Sequence, residues 1–236
     1  MAPAALRHLR LIAVNIDGVL LNDTFSPVIH RFVVKNGGVY TAELERAVFS
    51  QPRLTAAAAI GVAGSPQEVA EAYFRERELY LQEHPIHPLD GAKRLLGRLH
   101  RLGVPLICYG GLERPHFDRH LAGYAHYFDQ PQYVCTNDFR PGVREIATGM
   151  FGLRCDQVLF IDDVARVAET ARTLGAAFIG HPSSYEHSFQ EQLMREAGVR
   201  HLVRSLDEID DSLLYTLDSE AADGLVWRDS RVRVPA

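Results

Sequence analysis

Short apolar runs alternate with amphipathic segments along most of the chain. Strand-length runs occur at residues 9–15, 104–109, 132–135, 157–161 and 176–179, and a shorter one at 201–203. Helical spacing of apolar residues marks 89–102, 114–122, 141–150, a segment ending at 174, 186–197 and 206–214. Strands that alternate with helices are typical of a parallel sheet covered on both faces, so the pattern predicts an α/β, Rossmann-like core.

One block interrupts this alternation. Residues 22–87 carry no strong strand pattern, and apolar spacing predicts helices at 43–49, 54–60 and 66–81. The third helix is the best marked, because Ser65 is a typical N-cap, Pro66 suits the first helical position and Glu68 completes a capping box. We therefore predict a core at 1–21 and 88–217, an inserted α-helical domain at 22–87 and a C-terminal tail at 218–236.

Composition narrows the class of protein. The 236 residues are 47% hydrophobic and 23% charged, which are ordinary globular values. A net charge of −5 offers no basic field to nucleic acid, and no apolar run approaches the roughly 18 residues of a membrane span. Three cysteines without pair spacing make no disulfide framework, and the N-terminus lacks a signal-peptide pattern. We expect a cytoplasmic protein that binds neither nucleic acid nor membrane; composition leaves its oligomeric state open.

Polar residues gather where the predicted strands end, which is where ligands bind in open parallel sheets. Oxygen-bearing side chains that suit Mg²⁺ are Asn15, Asp17, Asp162 and Asp163. Candidates for binding a phosphate or other substrate group are Tyr109, Gly110, Gly111 and Arg140. The alternative is that the strand-end Asp and Asn residues only cap the helices that follow them.

Two of these segments resemble motifs of the haloacid dehalogenase (HAD) superfamily. Asn-Ile-Asp-Gly-Val-Leu at 15–20 is similar to its first motif, Asp-x-Asp-Gly-(Thr/Val)-Leu, and Leu-Phe-Ile-Asp-Asp at 159–163 resembles its fourth. The block at 22–87 resembles its inserted cap, and Arg140-Pro141 falls where its third motif usually reads Lys-Pro. The resemblance covers about residues 9–214. It implies a HAD-type core with a helical cap, Mg²⁺ as cofactor and a small phosphorylated or anionic metabolite as substrate.

Three of the four motifs depart from the family pattern. In the family the first aspartate attacks phosphorus, and the aspartate two residues later, here Asp17, is the general acid and base. Asn15 replaces the nucleophile, and a neutral amide oxygen is a poor nucleophile. Gly110 stands where the second motif has a hydroxyl, and Arg140 replaces the lysine while keeping its charge. An engineered substitution would explain Asn15 but not Gly110.

These departures leave three functions open. The first is a hydrolase-like protein that binds Mg²⁺ and a small anionic metabolite, with Asp17 activating a water molecule if it turns over. The second is a catalytically inactive protein of the same fold that binds a protein partner. The third is different chemistry on this scaffold, carried by Cys135, Tyr109 or the histidines.

Other residues have a weaker claim on function. His116 and His120 have the helical spacing of metal ligands, but no third ligand accompanies them, so we interpret them as a solvated helix face. Several residues that follow the first motif face either a ligand or solvent: Phe25, His30, Arg31 and Lys35.

Overall fold

The computed structural model describes residues 6–227, and a five-stranded parallel sheet forms the centre of the fold. Its strands are β1 Leu11–Asn15, β2 Leu106–Gly110, β3 Tyr133–Cys135, β4 Val158–Asp162 and β5 Ala177–Gly180. They lie side by side in the order β3-β2-β1-β4-β5. The predicted α/β, Rossmann-like core is therefore confirmed, with β1 at its centre.

Strand β1 fixes where the polar strand ends meet. Its first four residues are fully buried because both faces of the sheet are covered. It pairs with β2 and β4, so that Asn15 lies opposite Tyr109 and Val14 lies opposite Ile161. Because all the strands are parallel, the residues that follow β1, β2 and β4 reach the same edge of the sheet.

Helices cover the sheet and build the insertion between β1 and β2. The insertion contains α1 Ser26–Lys35, α2 Ala42–Val48, α3 Arg53–Ala59 and α4 Pro66–Glu83. The core contains α5 Ala92–Arg101, α6 Arg114–His120, α7 Ala165–Leu174, α8 Gln190–Glu196 and α9 Asp211–Ala222. Helix α4 begins at the predicted capping box, in which the Ser65 N–H donates to Glu68 at 2.8 Å and the Glu68 N–H donates to Ser65 Oγ at 3.3 Å.

A loop after β5 ties the insertion to the core. The Tyr185 hydroxyl lies 2.8 Å from Nδ1 of His30 on α1. The buried carboxylate of Glu45 on α2 accepts three hydrogen bonds of 2.7–3.0 Å from residues 188–190. These contacts hold the insertion over the carboxyl edge of the sheet.

Several predicted core elements take another form. The segment 201–203 makes one bridge, between Leu202 and Gly180, rather than a strand. The helix predicted at 206–214 is interrupted, because Asp210 caps a new helix, α9, by accepting from the Leu213 N–H at 2.8 Å. The helix predicted at 141–150 is reduced to one wide π-helical turn, Glu145–Met150.

The predicted boundary between residues 217 and 218 falls inside a helix, because α9 continues to Ala222. Asp218 is buried and accepts hydrogen bonds of 2.7–2.9 Å from the backbone N–H groups of Arg7, His8 and Leu9. Trp227 donates from Nε1 to the carbonyl oxygen of Ala176 at 2.8 Å. Residues 218–227 thus pack on the core, and the rest of the predicted tail lies outside the described residues. Within 6–227 no helix is long and apolar enough to cross a membrane.

Candidate functional site

A cavity of about 130 Å³ lies between the carboxyl edge of the sheet and the helical insertion. Its core side is polar, and we call this surface the polar floor: Asn15, Asp17, Gly111, Asn137, Arg140 and Asp163. Its insertion side is mostly apolar, and we call this surface the apolar wall: Phe25, Ile29, Val48, Phe49, Ala56, Ala57, Ile60, Ala70, Tyr73 and Phe74. The cavity therefore joins two surfaces of opposite character.

Asn15 turns its amide N–H groups toward the acidic part of the polar floor. Its Nδ2 donates to Asp163 Oδ1 at 2.8 Å and to the carbonyl oxygen of Asp17 at 3.1 Å. Its Oδ1 accepts from the Ile16 N–H at 2.9 Å. Both ends of the amide are engaged, so Asn15 presents a hydrogen-bond donor to Asp163.

Two adjacent carboxyl groups, Asp162 and Asp163, lie buried where β4 ends. Asp162 accepts from the Tyr109 hydroxyl and, at 2.7 Å, from the Val164 N–H. Burial raises the pKa of Asp162 to about 6, although these hydrogen bonds oppose the shift. Burial and the neighbouring Asp162 raise the pKa of Asp163 well above the usual carboxyl range. The environment therefore favours the neutral form of Asp163.

Asp17 has a partner that sequence interpretation missed. Nε2 of His116 on α6 lies 2.9 Å from Asp17 Oδ1, and both side chains are about nine-tenths buried. The interpretation of His116 as part of a solvated helix face is therefore wrong. The two residues are 99 positions apart, so no local spacing reveals the contact. The sequence does give one indication that His116 lies near the site. Helix α6 comes shortly after a glycine-rich strand end, at the edge of the sheet where ligands bind.

Arg140 lies directly against Gly111. A Cβ atom on Gly111 would stand 1.9 Å from Arg140 Nη2, so only glycine permits this approach. Among residues 6–227 no carboxylate lies within ion-pair distance of the guanidinium. Arg140 therefore lines the cavity without a direct ion pair, and its charge acts on the buried Asp162.

Gly110 leaves no room for the hydroxyl side chain that the family resemblance places at this position. A Cβ atom there would stand 2.4 Å from Ile16 Cγ2 and 3.0 Å from the Tyr133 hydroxyl oxygen. That hydroxyl is itself held by the carbonyl oxygen of Leu112 at 2.6 Å. The surrounding packing is thus built around a glycine.

The acidic residues do not fit a divalent cation. Hydrogen bonds from protein donors engage Asp17 Oδ1, Asp163 Oδ1 and both oxygens of Asp162. Mg²⁺ requires several oxygens that converge in near-octahedral geometry. In the described part of the chain, no three His, Cys, Asp or Glu side chains are grouped to hold a metal ion. The predicted ligands Asn15, Asp17, Asp162 and Asp163 are therefore not arranged as a metal centre in this structure.

Solved structures identify the architecture. A HAD hydrolase of family IA from Entamoeba histolytica superposes with a TM-score of 0.65 at 16% identity, covering 89% of this chain and 100% of that one. A predicted phosphatase from Clostridium acetobutylicum superposes with a TM-score of 0.63 at 18% identity. The match covers 88% of this chain and 99% of that one. The chain has the HAD-like fold.

A third HAD-like structure carries ligands. It is a HAD family hydrolase from Deinococcus radiodurans with bound phosphate and sodium, with a TM-score of 0.57 at 18% identity, covering 94% of this chain and 99% of that one. No family model matches the sequence, and no curated protein matches it either.

On this HAD-like fold the predicted site residues form two layers. Those that line the cavity are Asn15, Asp17, Gly111, Arg140 and Asp163. Those buried beneath them are Tyr109, Gly110 and Asp162. Only the first layer is therefore placed where a molecule in the cavity could contact it.

The insertion residues that follow the first motif divide in the same way. Phe25 lines the cavity. His30 contacts Tyr185 instead. Arg31 and Lys35 form ion pairs of 2.9 and 2.7 Å with Glu76, which hold α1 against α4.

Proposed function

We propose that this protein binds a small phosphorylated or otherwise anionic metabolite in the cavity and does not form an aspartyl-phosphate. The observation that carries the proposal is Arg140, whose guanidinium lies on the polar floor with no carboxylate partner in residues 6–227. Guanidinium groups bind phosphate and carboxylate through two parallel hydrogen bonds. Phosphate is bound in the Deinococcus radiodurans structure, which supports phosphate as one form of the charged group.

Two acids of the polar floor are hydrogen-bonded to residues other than Arg140. Asp163 holds the amide of Asn15, and its raised pKa favours the neutral carboxyl. Asp17 is hydrogen-bonded to the ring of His116. Arg140 is the cation of the polar floor, and the proposal assigns it to the anionic end of the ligand.

Covalent turnover requires a nucleophile that this site does not offer. The side chain of Asn15 is a neutral amide, and its oxygen is occupied by the Ile16 N–H. In enzymes whose catalytic residues act together, removing the nucleophile alone abolishes most of the rate. We therefore expect no phosphate release through a covalent intermediate.

The contact of His116 with Asp17 favours a second candidate function, metal-independent hydrolysis. Asp17 lines the cavity, and His116 orients its carboxylate from behind. A carboxylate held in this way suits a general base acting on water. Substitution Asp17→Asn would then abolish any hydrolysis of phosphomonoesters, and His116→Asn would lower kcat. Hydrolysis that survives Asp17→Asn would eliminate this function.

Titration with methylphosphonate, which carries the charged group alone, tests the proposed anion site. Measurements in EDTA and in Mg²⁺ should give the same affinity, since no three metal-ligating side chains are grouped among the described residues. Arg140→Gln should weaken binding at least 10-fold, because a hydrogen bond to a charged group is worth about 1.5–3 kcal/mol.

The matched control is Arg119→Gln, which removes an exposed arginine from α6. It should leave the affinity unchanged. Binding that appears only with Mg²⁺, or that is insensitive to Arg140→Gln, would overturn the proposal.

A further inference from the structure

The shape and chemistry of the apolar wall identify the rest of the ligand. Resting on the proposed function, we infer that the bound anion carries an apolar group about the size of a benzene ring, an aryl or branched alkyl body, rather than a sugar.

The cavity has the volume of a single ring. It measures about 130 Å³. An engineered protein cavity of about 150 Å³ with Leu, Ile and Phe walls holds benzene. A six-carbon group therefore fits this space.

Most of the wall belongs to the hydrophobic core of the insertion. Ile29, Phe49, Ile60 and Tyr73 line the cavity and are buried, and Phe25 is half-buried beside them. All five belong to, or pack against, one hydrophobic cluster. An apolar surface of this kind favours an apolar ligand body over water.

Four polar side chains on the insertion side line the cavity: Ser50, Gln51, Arg53 and Tyr73. Gln51 lies 3.1–3.2 Å from the Arg166 guanidinium when its amide is in the orientation that satisfies both ends. The exposed Arg53 stacks on Phe74, 4.8 Å from the ring centroid. The Tyr73 hydroxyl is buried and has no hydrogen-bond partner among the described residues. The hydroxyls of a sugar would lose water here without equivalent hydrogen bonds, and such unpaired groups are strongly disfavoured.

The polar floor and the mostly apolar wall differ in character, so together they favour a ligand with an anionic end and an apolar body. The charged end meets Arg140 and Gly111, and the apolar end enters among the aromatic side chains of the insertion. Affinity for the charged end and affinity for the apolar body are therefore separable by experiment.

Three probes separate them: phenylphosphonate, methylphosphonate and glucose 6-phosphate, each titrated by calorimetry in EDTA. Burying a phenyl group contributes as much as burying a Phe side chain, which corresponds to an affinity about 30-fold higher for phenylphosphonate than for methylphosphonate. Glucose 6-phosphate should bind no more tightly than methylphosphonate.

Two variants fill the proposed ring site. Ala57 and Ala70 are buried and line the cavity, so Ala57→Leu and Ala70→Leu should each remove most of the advantage of phenylphosphonate. The control is Ala58→Leu on the exposed side of α3, which should leave all three affinities unchanged.

The possible results distinguish failure of this inference from failure of the proposed function. Equal affinities for phenylphosphonate and methylphosphonate, or tighter binding of glucose 6-phosphate, would overturn the inference and leave the anion site standing. Binding of none of the three probes would overturn the proposed function itself. If one filling variant fails to fold, the other variant and the wild-type probe series decide the question.

Discussion

The substitution Gly111→Ala tests how closely Arg140 depends on its glycine neighbour. The new Cβ atom would stand 1.9 Å from Nη2 and 2.5 Å from Cζ of Arg140. Ordinary contact begins at 3.4 Å, so the guanidinium must retreat by about 1.5 Å. Binding groups must be held within about 0.5 Å of their productive position, so this displacement should uncouple the arginine from the bound anion.

The expected loss follows from the bonds that the displaced group makes. A hydrogen bond to a charged group contributes about 1.5–3 kcal/mol, so the Kd for phenylphosphonate should rise about 10- to 150-fold. Stability should change by less than about 1 kcal/mol, because the clash involves the end of a flexible side chain. Calorimetry gives the affinity, and urea unfolding gives the free energy of unfolding.

Gly149→Ala is the matched control, because a Cβ atom at Gly149 meets nothing within 4 Å. It should bind phenylphosphonate with wild-type affinity. The reasoning is refuted if Gly111→Ala also binds with wild-type affinity while remaining folded.

Three further substitutions test the packing, the amide and a buried histidine. Gly110→Ser should destabilise the fold by about 1–3 kcal/mol in urea unfolding, because its Cβ meets Ile16 Cγ2 at 2.4 Å. Asn15→Asp should lower the free energy of unfolding by about 1–3 kcal/mol at pH 8, because the hydrogen-bond donor to Asp163 is lost. The variant should release no phosphate from p-nitrophenyl phosphate. Burial lowers the pKa of His181, so its contribution to stability is present above pH 6.5 and is lost as pH falls. His181→Gln should remove up to about 1.4 kcal/mol per pH unit of that slope just below pH 6.5.

Each of these has an outcome that contradicts it. A Gly110→Ser protein as stable as the wild type would show that the packing around Ile16 yields easily. Phosphatase activity in Asn15→Asp would show that the acidic cluster still supports covalent chemistry. An unchanged pH slope in His181→Gln would show that another group carries the acid sensitivity.

The sequence contained enough information for the sheet and for most of the site. Buried parallel strands are uninterrupted apolar runs, and β1, β2 and β4 are recognisable for that reason. Parallel pairing then requires their polar ends to meet, which is why Asn15, Asp17 and Asp163 come together. The capping box at Ser65 is equally local, because its partners are three residues apart.

The features that could not be predicted from the sequence depend on contacts between residues far apart in the chain. The pairing of His116 with Asp17 links β1 to α6 across 99 positions, and a pair of histidines on a helix is typical of a solvated face. The apolar wall is similar, because its members lie on separate helices of the insertion and only their packing creates the cavity. Helix α1 was not predicted, although the sequence does indicate it. Its buried Val28, Ile29, Phe32 and Val33 follow helical spacing, and Pro27 marks its start.

One measurement tests the central claim that this site holds an organic anion through Arg140 rather than through a metal ion. Phenylphosphonate is titrated into the wild type and into Arg140→Gln by calorimetry, in EDTA and again in excess Mg²⁺. We predict that the wild type binds equally well in both buffers and that Arg140→Gln loses at least 10-fold in both. Binding by the wild type only in Mg²⁺, with Arg140→Gln unaffected, would contradict the account.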